Sequence, residues 1–296
     1  MKSNREKFHS GFTLIEMAIV LVIITILIGG LAMPLSAQIE ARRIAETRKT
    51  MEEAREAIMG YAMSHTTGSC ACAYTSGTLD GSPTTTCSAS LCSATLTTHD
   101  TAILTLKPRH FLPCPDLSGT DPEPNLDNDG VDGLTDINNG VEDRLNGTPG
   151  TCAAASGNLP WVTLATAAQD AWGNRLHYGL TLPYGHSITG FSNADPGDKQ
   201  VCNTSTGGCA VGTVARDVPV VLTSYGSNGW GARTVNNTDM AAPTSADELE
   251  NTDANNSYVN RVPSKPGSAA GEFDDLVSWI SSSLLISRVC PGGGCP

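Results

Sequence analysis

Basic residues are scarce in this chain: 18 Lys and Arg stand against 30 Asp and Glu, a net charge of −12 over 296 residues. A polyanion of that kind repels nucleic acid and anionic membrane surfaces, so neither is an expected partner. Signatures of catalysis are missing too. There is no Gly-x-Ser-x-Gly elbow, no His-Glu-x-x-His pair and no phosphate-binding glycine loop. No Cys-x-x-Cys occurs and the six histidines are scattered, which argues against a zinc site. Cysteine is absent from the first 69 residues. Charge is nearly absent from residues 12–33, where Glu16 is the single ionisable side chain.

That apolar run is long enough to cross a bilayer core, which takes roughly 20 residues. Ahead of it Lys2, Arg5 and Lys7 outweigh Glu6, giving residues 1–11 a net charge of +2. The bias favours a cytoplasmic leader and places everything after Pro34 outside the cytoplasm. Without the leader the chain stands at −14. An acidic residue inside such a segment costs up to ~3 kcal/mol at mid-membrane and less near its edge, so Glu16 calls for a role. Residues 35–64 contain no proline and one glycine. Ile39, Ile44, Met51, Ala54, Ile58 and Tyr61 recur there at helical spacing, with Arg and Glu filling the other faces. The expectation is one helix over 12–64, ~80 Å at 1.5 Å per residue, membrane-spanning over 12–33, amphipathic beyond, and kinked or locally melted at Pro34.

Three readings fit this N-terminus: a secretory signal cut near Leu35-Ser36-Ala37, a plain anchor, or a leader cut before the apolar run. Gly11-Phe12-Thr13-Leu14-Ile15-Glu16 resembles the class III leader of type IV pilins and their pseudopilin relatives. The resemblance implies cleavage between Gly11 and Phe12 by a prepilin peptidase, methylation, and delivery to an inner-membrane assembly platform. It also implies that the Glu16 carboxylate pairs with the new α-amine of Phe12 on a neighbouring subunit. The rival is that Glu16 rests unpaired near the headgroups.

Residues 65–296 form the head and hold all ten cysteines, whose even number outside the cytoplasm suggests disulfides. Spacing makes Cys87 with Cys92, Cys202 with Cys209, and Cys290 with Cys295 plausible local pairs, while Cys114 with Cys152 would close a longer loop. Residues 66–106, rich in Thr, Ser, Ala and Cys, read as a surface insertion. Asn125, Asp127, Asp129 and Asp136, with Gly130 at the sixth position, follow the spacing of an EF-hand-type calcium loop. Asn at the first position and the short Asp136 depart from it, and a solvated acidic turn is the alternative.

Further on, Asp170-Ala-Trp172-Gly173-Asn174, Ser224-Tyr-Gly226-Ser-Asn228-Gly229 and Phe273-Asp274-Asp275, ahead of Trp279, resemble in order the head of the major type II secretion pseudopilin. The Leu-Pro-Cys-Pro-Asp run (112–116) also resembles larger pilin-like proteins. The family's C-terminal calcium loop would fall on Asn228, Asp274 and Asp275, although Asn228 stands where the family has Asp. Asp247, Glu248, Glu250 and Asp253, in the inserted residues 230–271, are possible substitutes, with a solvated loop as the expected structure. Strands are expected over Arg175–Leu182 and Val218–Ser224, and a helix over Phe273–Leu285 with Glu272, Asp274 and Asp275 at its N-terminus.

The expected fold is α+β: the long helix on a small antiparallel sheet, with large disulfide-stapled loops. The expected function is a structural subunit of a type IV pilus or type II secretion pseudopilus, not an enzyme. The alternatives are a minor or tip pilin binding a surface or partner, and a secreted calcium-dependent protein with an ordinary signal.

Overall fold

The computed structural model describes residues 13–67, 70–71, 105–106, 109–117, 138–145, 150–207, 209–253, 255–291 and 295. The chain divides into two compact units, residues 1–45 and 46–296. Helix α1, Leu14–Ser64, belongs to both and is helical without interruption through Pro34, so the expected melting does not occur. A proline removes a single N–H from the ladder, and the turns on either side keep theirs. In the first unit large apolar side chains are exposed on every face: Leu14, Ile15, Met17, Ile19, Val20 and Leu21 are all at least 44 % accessible. No helix among the described residues is long and apolar enough to cross a membrane.

In the second unit α1 turns amphipathic as its pattern predicts. Thr47, Met51, Ala54, Ile58 and Tyr61 are buried in one stripe. Thr47 Oγ1 accepts from Ala171 N at 3.1 Å, Tyr61 stacks edge-on to Phe111, and His110 Nδ1 meets Ala62 O at 2.7 Å. Ile39, expected in the stripe, is 46 % exposed.

The ends of the 66–106 insertion are tied together at its base, where β1 (Cys70–Ala71) pairs with β2 (Thr105–Leu106). Beyond it, Cys114 joins Cys152. That bond spans 38 residues, which on a chain-entropy account is worth roughly 4 kcal/mol. Cys202–Cys209 and Cys290–Cys295 also form, while Cys87 and Cys92 lie outside the described residues.

Besides the β1–β2 pair, two larger sheets build the head among the described residues. The first is antiparallel, in the order β3 (Ser156–Asn158), β4 (His177–Leu180), β7 (Val220–Ser224), β9 (Leu276–Ile280). The second is mixed, in the order β6 (Thr213–Val218), β5 (Lys199–Cys202), β8 (Ser257–Val259), with β5 and β8 parallel. Short helices α2 (Trp161–Leu164), α3 (Leu182–Gly185) and α4 (Ala246–Glu250) lie between strands, and α5 (Ser282–Val289) follows β9. Val201, Val218, Val221 and Tyr258 form a buried cluster with Val277 and Trp279 packed against it, joining the two sheets.

Several expectations are corrected. The single strand over Val218–Ser224 is two, β6 and β7, because Pro219 has no N–H for a ladder. The strand over Arg175–Leu182 is shorter, since Leu182 opens α3 with Pro183 in its first turn. The helix over Phe273–Leu285 is β9 followed by α5. Leu276–Ile280 lies in unbroken register on β7, from Val220↔Ile280 to Ser224↔Leu276. A five-residue apolar run fits helix and strand templates alike, and the sheet partner decides. The 230–271 segment is no solvated loop: Asp247, Glu248 and Asn251 are buried there, and β8 completes the second sheet.

Gly179 shows how tightly the sheets meet. A Cβ on it would lie 2.1 Å from the Tyr258 hydroxyl, which is buried and without a hydrogen-bond partner. Gly179→Ala is expected to lose about 1–3 kcal/mol in denaturant unfolding by overpacking. Adding Tyr258→Phe should restore part of that loss, because the colliding oxygen contributes no bond.

Candidate functional site

Asp170 organises the turn ahead of β4. Its Oδ1 accepts from Trp172 N at 2.9 Å and Asn174 N at 3.0 Å, and its Oδ2 accepts from Ser224 Oγ at 2.7 Å. Gly173 sits between them at φ +91°, a conformation that suits glycine. This turn therefore docks on the end of β7, and the chain leaving β7 makes the next one, Tyr225–Gly229.

In that second turn Gly226 has φ +60°, and a Cβ there would lie 2.4 Å from Asp274 O. The close approach lets Ser227 N, Ser227 Oγ and Asn228 N donate to Asp274 Oδ2 at 2.9, 2.7 and 2.9 Å. Since β9 pairs with β7, Asp274 and Asp275 arrive beside the turn. Helix α4 brings Glu248 to the same place. Glu248 Oε1 accepts from Asn228 Nδ2 at 3.2 Å and from Asp274 N at 3.1 Å, and Asp275 Oδ2 accepts from Asn251 Nδ2 at 2.8 Å.

Each of the three carboxylates thus has one oxygen held by protein donors. The other oxygen of each, Glu248 Oε2, Asp274 Oδ1 and Asp275 Oδ1, is buried with no hydrogen-bond partner. Glu248 and Asp275 are 1 % and 2 % exposed. Glu248, Asp274 and Asp275 place a carboxylate oxygen apiece within 4.8 Å of one another. Three carboxylates so close cannot all stay ionised out of water without a cation or a proton. Burial first, then the negative charges of Asp274 and Glu272, pushes Glu248 up to about 7. Burial likewise drives Asp275 well above the usual carboxylate range. Hard oxygen donors backed by fixed N–H groups suit a divalent cation such as calcium, magnesium or manganese.

Asn228, Asp274 and Asp275 are therefore together, but Asn228 acts as a donor to Glu248 and Asp274. The third acid is Glu248. Among the insertion's other acids, Asp247 is taken by Ser205 and Arg261, while Asn255 donates to both Glu250 and Asp253. Glu248 left little trace in the sequence, its one signal being an acidic pair after Ser245 at a short helix start. Asn125, Asp127, Asp129 and Asp136 lie outside the described residues, as do Gly11 and Phe12.

At the other end of the chain, Glu16 has a local partner. Its Oε2 accepts from Thr13 N at 2.8 Å and Thr13 Oγ1 at 2.7 Å, and Thr13 Oγ1 accepts from Glu16 N at 3.4 Å. This is a reciprocal capping box on Thr13-x-x-Glu16, which satisfies donors at the start of α1. The Thr-x-x-Glu spacing signals it in the sequence. The rest of the run is apolar, which leaves this carboxylate isolated on a greasy helix.

Residues 7–32 match the prokaryotic N-terminal methylation motif. The chain carries a class III prepilin leader. A motif of this kind supports a type IV pilin-like or pseudopilin precursor and implies processing by a prepilin peptidase and assembly with other pilin subunits. Neither a curated relative nor a solved structure matches the chain.

The carboxylate cluster makes a pH-dependent prediction. Without a cation, Glu248 is raised from 4.5 to about 7 on folding, so its contribution to stability is full below pH 4.5 and lost as pH rises through 7. A bound cation needs the ionised form and offsets that loss. Calcium at 100 times its Kd should then stabilise the protein by about 2.7 kcal/mol. Its thermal-melting shift should be larger at pH 8 than at pH 5.5. Glu248→Gln should weaken binding about ten-fold or more in a calorimetric titration, and an unchanged isotherm would exclude Glu248 as a ligand.

Proposed function

We propose that this prepilin is cleaved after Gly11 and assembles from the inner membrane, through its apolar helix, into a type IV pilus or type II secretion pseudopilus. The observation behind it is α1 itself. Directly after the leader it exposes apolar side chains on all faces, and a helix apolar all round is one that is buried elsewhere. Neighbouring copies of the helix supply that burial in the assembled filament. The head holds calcium at Glu248, Asp274 and Asp275. That site beside the Ser-x-Gly-x-Asn turn favours the pseudopilus over a pilus, in line with the order of head motifs. Before assembly the head faces the periplasm.

Cleavage frees the α-amine of Phe12 within a few residues of the capping box. In an apolar surrounding, an amine and a carboxylate are each strongly unfavourable alone, so Glu16 pairs with Phe12 of the adjacent subunit and sets axial register.

Mass spectrometry of the mature protein should find N-methylated Phe12 at its terminus; a terminus at Gln38 would end this reading. Substitution of Glu16 separates its two roles. Glu16→Gln keeps a capping-box side chain but removes the charge. Incorporation into sheared filaments should fall as far for Glu16→Gln as for Glu16→Ala. Normal incorporation of Glu16→Gln would leave only the cap.

A further inference from the structure

The two sheets have four edge strands, and three of them are closed to further pairing. β3 is capped by a bridge in which Asp116 N donates to Asn158 O at 3.0 Å and Asn158 N donates to Asp116 O at 2.6 Å. β8 is closed by a side chain: Asn251 Oδ1 accepts from Val259 N at 2.7 Å and Asn251 Nδ2 donates to Val259 O at 3.1 Å. β6 has register shifts against β5 and presents exposed Arg216 and Asp217. Irregular register and charges of this kind are how natural sheets discourage edge pairing. β9 has none of these devices. It is Leu-Val-Ser-Trp-Ile, with no charge, no proline and no bulge, and β7 takes only one of its sides.

The open side of β9 borders a groove shared with the second half of α1. Two hollows of about 330 and 300 Å³ meet at Val277 and Ser278. Arg48 and Glu52 line the first from the helix, and Arg55 lines the second. Each hollow is at the small end for a small-molecule site, but in tandem along a strand they suit an extended peptide. Strand addition to such an edge takes its affinity from main-chain hydrogen bonds. One cation on the rim is unspent: Arg48 has no hydrogen bond or ion pair among the described residues, whereas Arg55 is paired with Glu52 and Arg261 with Asp247.

Resting on the assembly reading above, we propose that the open edge of β9 receives an extended, carboxylate-bearing segment of a second copy of this chain, with Arg48 meeting the carboxylate. The net charge of −14 without the leader makes a second copy a ready source of that charge. Copies held side by side through their apolar helices also meet at high effective concentration. A contact between two different patches on identical subunits is heterologous, and where its rotation does not close a ring it propagates, as a filament requires.

The test is photocrosslinking in cells making the full chain, with a photoreactive residue at Ser278, at Glu52 on the opposite rim, or at Val20 in the apolar helix. Dimers of this chain are expected from all three positions. Arg48→Glu should cut the yield at 278 and 52 at least five-fold and leave that at 20 unchanged. Crosslinks at 20 with none at 278 or 52 would overturn the groove while sparing the assembly reading. Attachment of 278 and 52 to a different protein would overturn the choice of a second copy, and an unchanged yield in Arg48→Glu would remove the role of charge. No crosslink at any position would sink the assembly reading and this proposal with it.

Discussion

The ladder between Val220–Ser224 and Leu276–Ile280 is the constraint on which the head depends. β7 is buried along its whole length and pairs on its other side with β4. Its C-terminal end fixes where the Tyr225–Gly229 turn leaves the sheet. β9's N-terminal end, paired opposite, fixes where Asp274 and Asp275 arrive. Side chains alternate in a strand, so a slip of one residue would turn β9's packing face over and carry both aspartates away from the turn. One register thus sets the core between the sheets, the carboxylate cluster and the position of the open edge.

Around the cluster the electrostatics follow from geometry. Backbone and amide N–H groups satisfy one oxygen of each carboxylate, which fixes their orientation. The remaining oxygens converge in a buried place where mutual repulsion and lost hydration act together. Neutralisation by proton or by cation is what the arrangement demands, and the donor set favours a hard cation. The inserted segment participates directly: α4 supplies Glu248, the adjoining Asn251 orients Asp275, and the same asparagine closes β8.

The N-terminal features of the chain were legible in the residues themselves. The leader, the isolated Glu16, and the stripe from Met51 to Tyr61 depend on local order and helical period, which a chain carries in its sequence. So did the turn at Trp172-Gly173-Asn174 and three of the disulfides, where spacing narrows the partners. Elsewhere local patterns were ambiguous. Leu276–Ile280 is too short to separate strand from helix, and Pro219 cut a run that hydropathy alone joins. Glu248 stood only as one of four candidate acids in the insertion, because its burial comes from elements that meet only in three dimensions.

By itself, then, the sequence carried the prepilin leader motif and the helical stripe behind it, because both are written in contiguous or periodic residues. Only the tertiary structure decided which acid completes the cluster and which sheet edge stays open. Both depend on strand register and on the packing of segments far apart in the chain: Glu248 and Asp274 are 26 residues apart. No local periodicity encodes such a meeting, since long-range pairing is chosen by burial summed over the whole head.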